Sequence, residues 1–385
     1  MVAAAPAGGP MRILLLTTGL KLGGAEQQVA ALARQFGTLG HTVAIVSLTP
    51  GCDVAIPDSA TVEMLDMRKT PLSMATALAR ARNFVRRWRP DVIHAHMVHA
   101  NLFARVLGLL CRNVPIICSA HSAQEGGQLR MLAYRLTDGL ATHNTHVSES
   151  GKQAMVAAGA VPASHISVMP NGIDTARFRP DNATGRQLRA ALRIPAEVPL
   201  VLNVGRLAAE KNQAGLIDAF ALARRDSGGT PARLLIVGEG PERASLQARI
   251  REHGLQHAVT LAGARGDIPA LLNAADLFVL SSVVEGLPLA LAEALACGCP
   301  VVATDAAGAM ELMGETGTIV PVADTLALAA AIRDALRLGR GTDAAQWSRR
   351  QRITDHFDLD LVARRWLTLY ADAKRSVRAP QTRPA

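Results

Sequence analysis

A short apolar run, a helical stretch, then another apolar run: this order recurs along nearly the whole sequence. "MRILLLTTG" reads as a buried strand, and "GGAEQQVAALARQFGTLG" follows as a helix from Gly24 to about Leu39. "HTVAIVSL" is a second strand, "TPLSMATALARARNFVRRWRP" a helix stopped by Pro90, and "DVIHAHM" a third strand. "ANLFARVLGLLC", "VPIICSAH" and "THNTHVSES" continue the pattern. The second half repeats it with "PLVLNVGR", "ARLLIVGEG", "VTLAG", "DLFVLSS" and "PVVATD". Strand, helix, strand in repeated order implies parallel sheets with helices on both faces. The expected fold class is α/β, two Rossmann-like doubly wound domains facing across a cleft, with ligands at the carboxyl ends of the strands.

The chain has 385 residues, 49% of them apolar, which is long for a single core. Pro170, Gly172 and Pro180 punctuate "VMPNGIDTARFRP" and mark the change of domain. The organisation read from the sequence is a disordered leader (1–10), an N-terminal Rossmann-like domain (11–172) and a C-terminal Rossmann-like domain (173–355). A terminal helix (356–376) and a loose tail (377–385) follow. Between Arg340 and that helix the helical pattern weakens through "GTDAAQWSRRQRI".

No stretch offers 18 continuous apolar residues, and the first ten residues lack a basic segment followed by a long apolar one, so neither a spanning helix nor a secretory signal is expected. Five cysteines without a CxxC pair suit a reducing cytosol and argue against a disulfide framework or zinc site. The expected location is therefore cytoplasmic. The formal charge is +9, and residues 1–172 hold 15 Lys+Arg against 9 Asp+Glu. Aromatic residues make up only 3% of the chain, too few for a base-stacking platform, so phosphate-bearing substrates or an anionic membrane surface are the better partners and nucleic acid is not expected.

Three motifs fall at the carboxyl ends of expected strands. "GLKLGGAEQ" sets Gly23 and Gly24 at a helix N-terminus, where they either let backbone amides meet an anion or form a plain tight turn. The dinucleotide fingerprint GxGxxG is absent there, which disfavours a dehydrogenase. "VGRLAAEKN" presents Arg206 and Lys211, a fork and a point charge suited to a diphosphate. In "EGLPLALAEALACGCPVVATD", Glu285 lies in a strand-to-helix loop and Glu293 about a turn inside a helix that Pro288 can open. A carboxylate accepts two hydroxyl hydrogens side by side, so vicinal diols suit both acids, while the amides near Gly286 and Leu287 suit phosphate.

"PNGID", "VGRLAAEKN", "LLIVGEGPER" and "EGLPLALAE", in that order, resemble the retaining, nucleotide-sugar-dependent glycosyltransferases of the two-domain GT-B fold, family 4. "GGAE", "HAHMVHAN" and "SAHS" match more loosely, and the resemblance runs from about Arg12 to Tyr370. It implies that Arg206 and Lys211 hold the donor diphosphate, with Gly24 closing over it. It further implies that Glu293 binds the ribose, Glu285 the transferred sugar, Leu261 the base, and that His121 sits near the reaction centre. The family needs no metal or cofactor, so a metal reading of His94, His96 and His99 is disfavoured. "DLD" (Asp358–Asp360) opens a helix instead of ending a strand and is set aside as a metal motif.

In the helix before Pro90, Met74, Leu78, Ala81, Val85 and Trp88 form an apolar stripe edged by Arg82, Arg86 and Arg89, with Arg80 and Arg87 toward the other side. This is either a helix packed on its sheet with solvated arginines or a face that docks on anionic lipid. The activity expected is retaining transfer of a hexose or N-acetylhexosamine from a UDP-sugar to a lipid-linked or polysaccharide acceptor. A nucleotide-sugar 2-epimerase or hydrolase on the same fold, or a non-catalytic glycan-binding protein, are the alternatives.

Overall fold

The computed structural model describes residues 9–21, 23–122, 127–226 and 232–378. The chain divides into two compact units, one formed by residues up to Gly172 together with Leu359 onward, the other by Ile173–Asp358. Most of the expected leader and tail lie outside the described residues.

The first unit runs β1 (Arg12–Thr17), α1 (Gly24–Thr38), β2 (Thr42–Ser47), β3 (Thr61–Met64), α2 (Pro71–Trp88) and β4 (Val92–His96). It continues with α3 (Val98–Leu110), β5 (Ile116–Ala120), α4 (Gly127–Thr137), β6 (His143–His146), α5 (Glu149–Ala157) and β7 (Ile166–Val168). Its seven strands are all parallel, in the order β3-β2-β1-β4-β5-β6-β7. Successive β1 side chains point to opposite faces. Ile13 and Leu15 join a core with α1, while Leu14 and Leu16 join one with α2 and α3.

The second unit runs α6 (Asn182–Ala191), β8 (Leu200–Val204), α7 (Gln213–Asp226), β9 (Arg233–Val237), α8 (Arg243–Glu252), β10 (Val259–Leu261) and α9 (Ile268–Ala274). It continues with β11 (Leu277–Leu280), α10 (Leu289–Ala296), β12 (Val301–Thr304), α11 (Ala309–Met313), β13 (Thr318–Val320), α12 (Thr325–Leu338) and α13 (Asp343–His356). Its six parallel strands run β10-β9-β8-β11-β12-β13. In each sheet the chain winds one way and then the other, so the order reverses at β1/β4 and at β8/β11, the places where open α/β sheets take ligands.

The last helix, α14 (Leu359–Arg378), belongs to the first unit. Leu359, Val362, Ala363, Trp366, Leu367, Tyr370 and Ala373 recur at helical spacing and all enter the core that contains Ile13, Leu15 and Phe36. Gln35 donates to Asp360 at 2.8 Å and Lys374 meets Asp91 at 2.5 Å, so polar contacts fix both ends of the seam.

Three details differ from the sequence reading. Residues 343–356 form a full helix where the pattern looked weak, because α13 buries mainly Arg349 and Ile353 and makes few of the apolar contacts that leave a periodic signal. The buried face of α2 is Ala77, Ala81, Phe84 and Val85, whereas Met74 is half exposed in the early turns of the helix. Arg80 is not simply solvated: its side chain is 48% exposed, but its guanidinium donates to the carbonyls of Leu65 and Met64 and to Glu63, tying α2 to β3.

Candidate active site

At the β8 tip of the second unit, three loops pack backbone against backbone. The Gly205 amide donates to Val237 O at 2.9 Å, the Leu207 amide to Glu239 O at 3.0 Å, the Glu242 amide to Leu207 O at 3.1 Å and the Gly238 amide to Gly263 O at 2.8 Å. The glycines of "VGEG" are demanded by this approach. A β-carbon on Gly238, whose φ is +143°, would fall 1.9 Å from Gly205 O, and one on Gly240 would fall 2.2 Å from Leu207 O. The result is a polar shelf across the ends of β8, β9 and β10, with half-buried Leu261 at its margin. The Leu261 carbonyl accepts from Arg243 at 3.4 Å, and Arg243 also meets Glu239 at 3.0 Å.

From that shelf the chain makes a tight turn through Ala209–Lys211, passes Asn212 in the left-handed region (φ 48°) and enters α7. Lys211 Nζ sits 2.7 Å from Glu285 Oε1, and the Glu285 side chain is only 8% exposed. A carboxylate so buried requires a partner, and Lys211 supplies it. The two loops are also latched through their backbones. Ser281 Oγ donates to Lys211 O at 2.8 Å, the Val283 amide to Glu210 O at 2.8 Å, and Thr304 Oγ1 holds Ser282 O at 2.6 Å. Arg206 pairs with Glu210, but its side chain is 63% exposed, so its fork stays open to a ligand. Arg206, Lys211 and Glu285 thus converge at the β8/β11 reversal, contributed by the loops that follow these two strands.

Pro288 caps α10, and Glu293 lies one turn inside it. Gly286 and Leu287 are buried just before the helix, against Gly308, where an added β-carbon would lie 2.5 Å from Gly286 O. Glu293 keeps a little surface, yet burial pushes its carboxyl up to about 7, with Arg177 pulling the other way. It is therefore only partly ionised at neutral pH. The carboxyl end of α10 is held by two arginines of α13: Arg350 donates to Ala296 O at 2.8 Å and to Phe178 O at 2.9 Å, and Arg349 to Gly298 O at 2.9 Å. Cations on terminal carbonyls steady a helix end. Sequence reasoning passed over these arginines, Glu210 and Glu239; only the cluster of arginines in "QWSRRQRI" hinted at them.

Gly23, Gly24 and His121 belong to the first unit. Gly23 caps α1 with extended backbone, and Gly24 is its exposed first residue. The Glu26 carboxylate folds back against Gly23, its Oε2 within 2.3 Å of where a β-carbon would stand, so a carboxylate already lies at this helix N-terminus. His121 follows β5, with Nε2 3.0 Å from Nδ1 of His96 at the end of β4. Burial, reinforced by His146, lowers its pKa to about 3, so it is neutral. His94 is fully buried between Tyr370 Oη (2.6 Å) and Ser119 Oγ (2.7 Å). No group of three or more His, Cys, Asp or Glu among the described residues is arranged to hold a metal ion.

Comparison with known proteins adds the following. The family described as "Glycosyl transferases group 1" matches residues 185–353, and "Glycosyltransferase Family 4" matches residues 22–177. The chain is similar to glycogen synthase of Mycobacterium tuberculosis, 30% identical over 97% of both chains. It is also similar to the GDP-mannose-dependent alpha-(1-6)-phosphatidylinositol monomannoside mannosyltransferase of the same organism, 32% identical over 60% of this chain and 66% of that one. Among solved structures, Anabaena Alr3699/HepE in complex with UDP-glucose superposes with a TM-score of 0.80 at 23% identity, covering 94% of this chain and all of that one.

Proposed function

The chain belongs to the group 1 glycosyltransferases of the GT-B fold, enzymes of glycan biosynthesis, and we propose that it moves a hexose or N-acetylhexosamine from a UDP-sugar to a hydroxyl of a lipid-linked or polysaccharide acceptor, with retention at the anomeric carbon. The observation that carries this reading is the pairing of Lys211 with buried Glu285 beside the open fork of Arg206, at the sheet's reversal. A UDP donor is favoured by relatedness in fold to proteins crystallised with UDP; a GDP-mannose-dependent relative makes GDP the competing choice.

In the proposed reaction the bond from the sugar's anomeric carbon to the diphosphate breaks, and the electron pair leaves with the phosphate. The acceptor oxygen forms its bond on the same face, and its proton passes to the leaving phosphate oxygen. Negative charge grows on the diphosphate, and Arg206 and Lys211 are the fixed cations that meet it. Glu285, its charge already balanced by Lys211, takes hydroxyls of the transferred sugar, and Glu293 takes the ribose diol. Leu261 borders the base, Gly23 and Gly24 offer amides to phosphate, as do Gly286 and Leu287, and neutral His121 is assigned to the reacting sugar. None of these residues needs a metal for its role.

No helix among the described residues is long and apolar enough to cross a membrane. The groove lined by Glu63, Arg80, Asn83, Arg86 and Arg87 on α2 and β3 supports a second part of the proposal, reversible contact with an anionic cytoplasmic membrane surface.

A donor screen tests the function. UDP-, GDP- and ADP-sugars are offered with and without glycan acceptors, and product is detected by mass. Transfer from a UDP-sugar to an acceptor is expected, and Lys211→Ala should slow it by about a hundredfold, the scale of losing one charge-stabilising group. Release of free sugar or an epimer from every donor, with no acceptor glycosylated, overturns the transferase reading.

A further inference from the structure

Helix α4 of the first unit turns a row of leucines away from the protein. Tyr134 and Met131, three residues apart on one side of α4, pack in a core cluster with Val98 and Leu102 of α3. Leu129, Leu132 and Leu136 recur at helical spacing on the opposite side. Leu129 is 83% exposed and Leu136 75%. Arg130 and Arg135 border the row, one along each edge. A single exposed leucine is ordinary, but a row of them with a cationic border marks a surface that meets something apolar and anionic.

The row continues onto α3, which packs against both α2 and α4. Arg105 of α3 is fully buried and donates to Tyr134 O at 2.8 Å and to Thr137 Oγ1 at 2.9 Å, pinning the end of α4 to α3. Leu109 lies one turn beyond Arg105, and it is exposed together with Val106 and Leu110. Cations frame these side chains at both ends of α3. Burial raises the pKa of the Cys111 thiol just past its last turn, and the charges of Arg82 and Arg86 on α2 pull against that rise. Burial lowers the pKa of His99 in its first turn, and Arg130 and Lys69 push the same way. Together α2, α3 and α4 carry seven arginines and no Asp or Glu.

We infer that α3 and α4 insert their exposed leucines into an anionic lipid leaflet, with the arginines of α2 and α4 on the phosphates around them. The inference deepens the membrane contact proposed above and rests on it. Charge selects this occupant. A second copy of the chain would bring the same arginines against these, and like charges facing each other repel. An anionic leaflet offers acyl chains to the leucines and phosphates to guanidiniums that can reach up from beside them. The two contributions differ in kind. Attraction between arginine and phosphate weakens as salt is added, whereas burial of leucine does not. Contact through α2 alone is therefore reversed by salt, and the leucine row adds an attachment that salt leaves in place.

Sedimentation of the full chain with phosphatidylglycerol vesicles, at low salt and at about 0.5 M salt, separates the two contributions. Wild type should remain partly bound at the higher salt. Leu129→Gln with Leu136→Gln should weaken binding about tenfold or more at both salt concentrations and leave the melting temperature near that of wild type, since both side chains face outward. Arg86→Ala with Arg87→Ala should weaken it at low salt only. A second readout does not depend on lost affinity: the indole of Leu136→Trp should be quenched by phospholipid brominated near the headgroup, beyond any quenching of the wild-type tryptophans. A leucine pair that binds as wild type does, or an indole that brominated lipid leaves unquenched, overturns the insertion. Loss confined to the arginine pair overturns the insertion alone and leaves the α2 contact standing. Wild type that ignores the vesicles at low salt overturns both. Wild type that self-associates in solution, with the leucine pair monomeric, makes the row an interface between copies and also overturns the inference.

Discussion

Replacing Glu293 by Gln should have opposite effects on donor binding and on stability, and the size of each follows from the raised pKa. With a pKa of about 7, the carboxyl is about nine-tenths ionised at pH 8 and about one-tenth at pH 6. If the ionised form is the one that accepts both ribose hydroxyls, apparent affinity weakens about tenfold over that range, about 1.4 kcal/mol. At pH 7 binding should release about half a proton, because ligand pulls the carboxyl to its charged form. UDP-glucose is the ligand of choice, since its diphosphate does not titrate in this window. Calorimetry in two buffers of different ionisation enthalpy reads both the affinity and the released proton. Glu293→Gln should bind more weakly at pH 8 and show no slope with pH. The sign of the stability effect is opposite. A carboxyl whose folded pKa lies above its ordinary 4.5 favours the fold below pH 4.5, and that contribution is lost as pH rises through 7. The ionised side chain then costs on the order of 3 kcal/mol at pH 8. Glu293→Gln should therefore melt no lower than wild type at pH 8, which separates lost binding from lost structure. A wild-type affinity that is flat from pH 6 to 8, or a slope that survives in the glutamine variant, refutes the assignment of Glu293 to the ribose.

Acid should unfold the first unit through its histidines. His94, His96 and His121 all have pKa values lowered by burial, so their stabilising contribution is complete above about 6.5 and is lost progressively as pH falls toward the folded value, about 3 for His121. Three such groups cost about 4 kcal/mol per pH unit within that window. Fluorescence of buried Trp366 should report the transition, and His96→Asn should flatten the dependence by about a third; an unchanged slope rejects the origin given. Vesicle sedimentation checks the membrane contact. Replacing Arg86 and Arg87 together by Ala should weaken binding to phosphatidylglycerol vesicles by about 2 kcal/mol, roughly thirtyfold, and binding that is indifferent to salt and to both changes removes α2 from the interface.

What the sequence could tell about this molecule followed from where local rules operate. β1, β4, β5 and β8 are almost wholly buried, so they appear as mainly apolar runs, and the motifs that end them are placed by chain order alone. β3, β7 and β13 lie at sheet edges and are short, and α13 is polar, so none has the periodicity that betrays an element. α13 works instead by sending Arg349 and Arg350 into the carbonyls around α10, a contact type that hydrophobic patterning does not register. The acids and cations of the site could be named because each breaks its neighbourhood, a charge at the tip of an apolar strand or inside an apolar helix. Their partners could not. Glu285 finds Lys211 only because β8 and β11 are neighbours in the sheet although β9 and β10 intervene in sequence. That pairing has a mechanistic corollary. Lys211 pairs with Glu285 and Arg206 with Glu210, so on the proposed reading a diphosphate would share both cations with these carboxylates. The carboxylates would offset part of the cations' attraction in ground state and transition state alike, so only the attraction that grows as charge accumulates on the leaving phosphate would raise kcat.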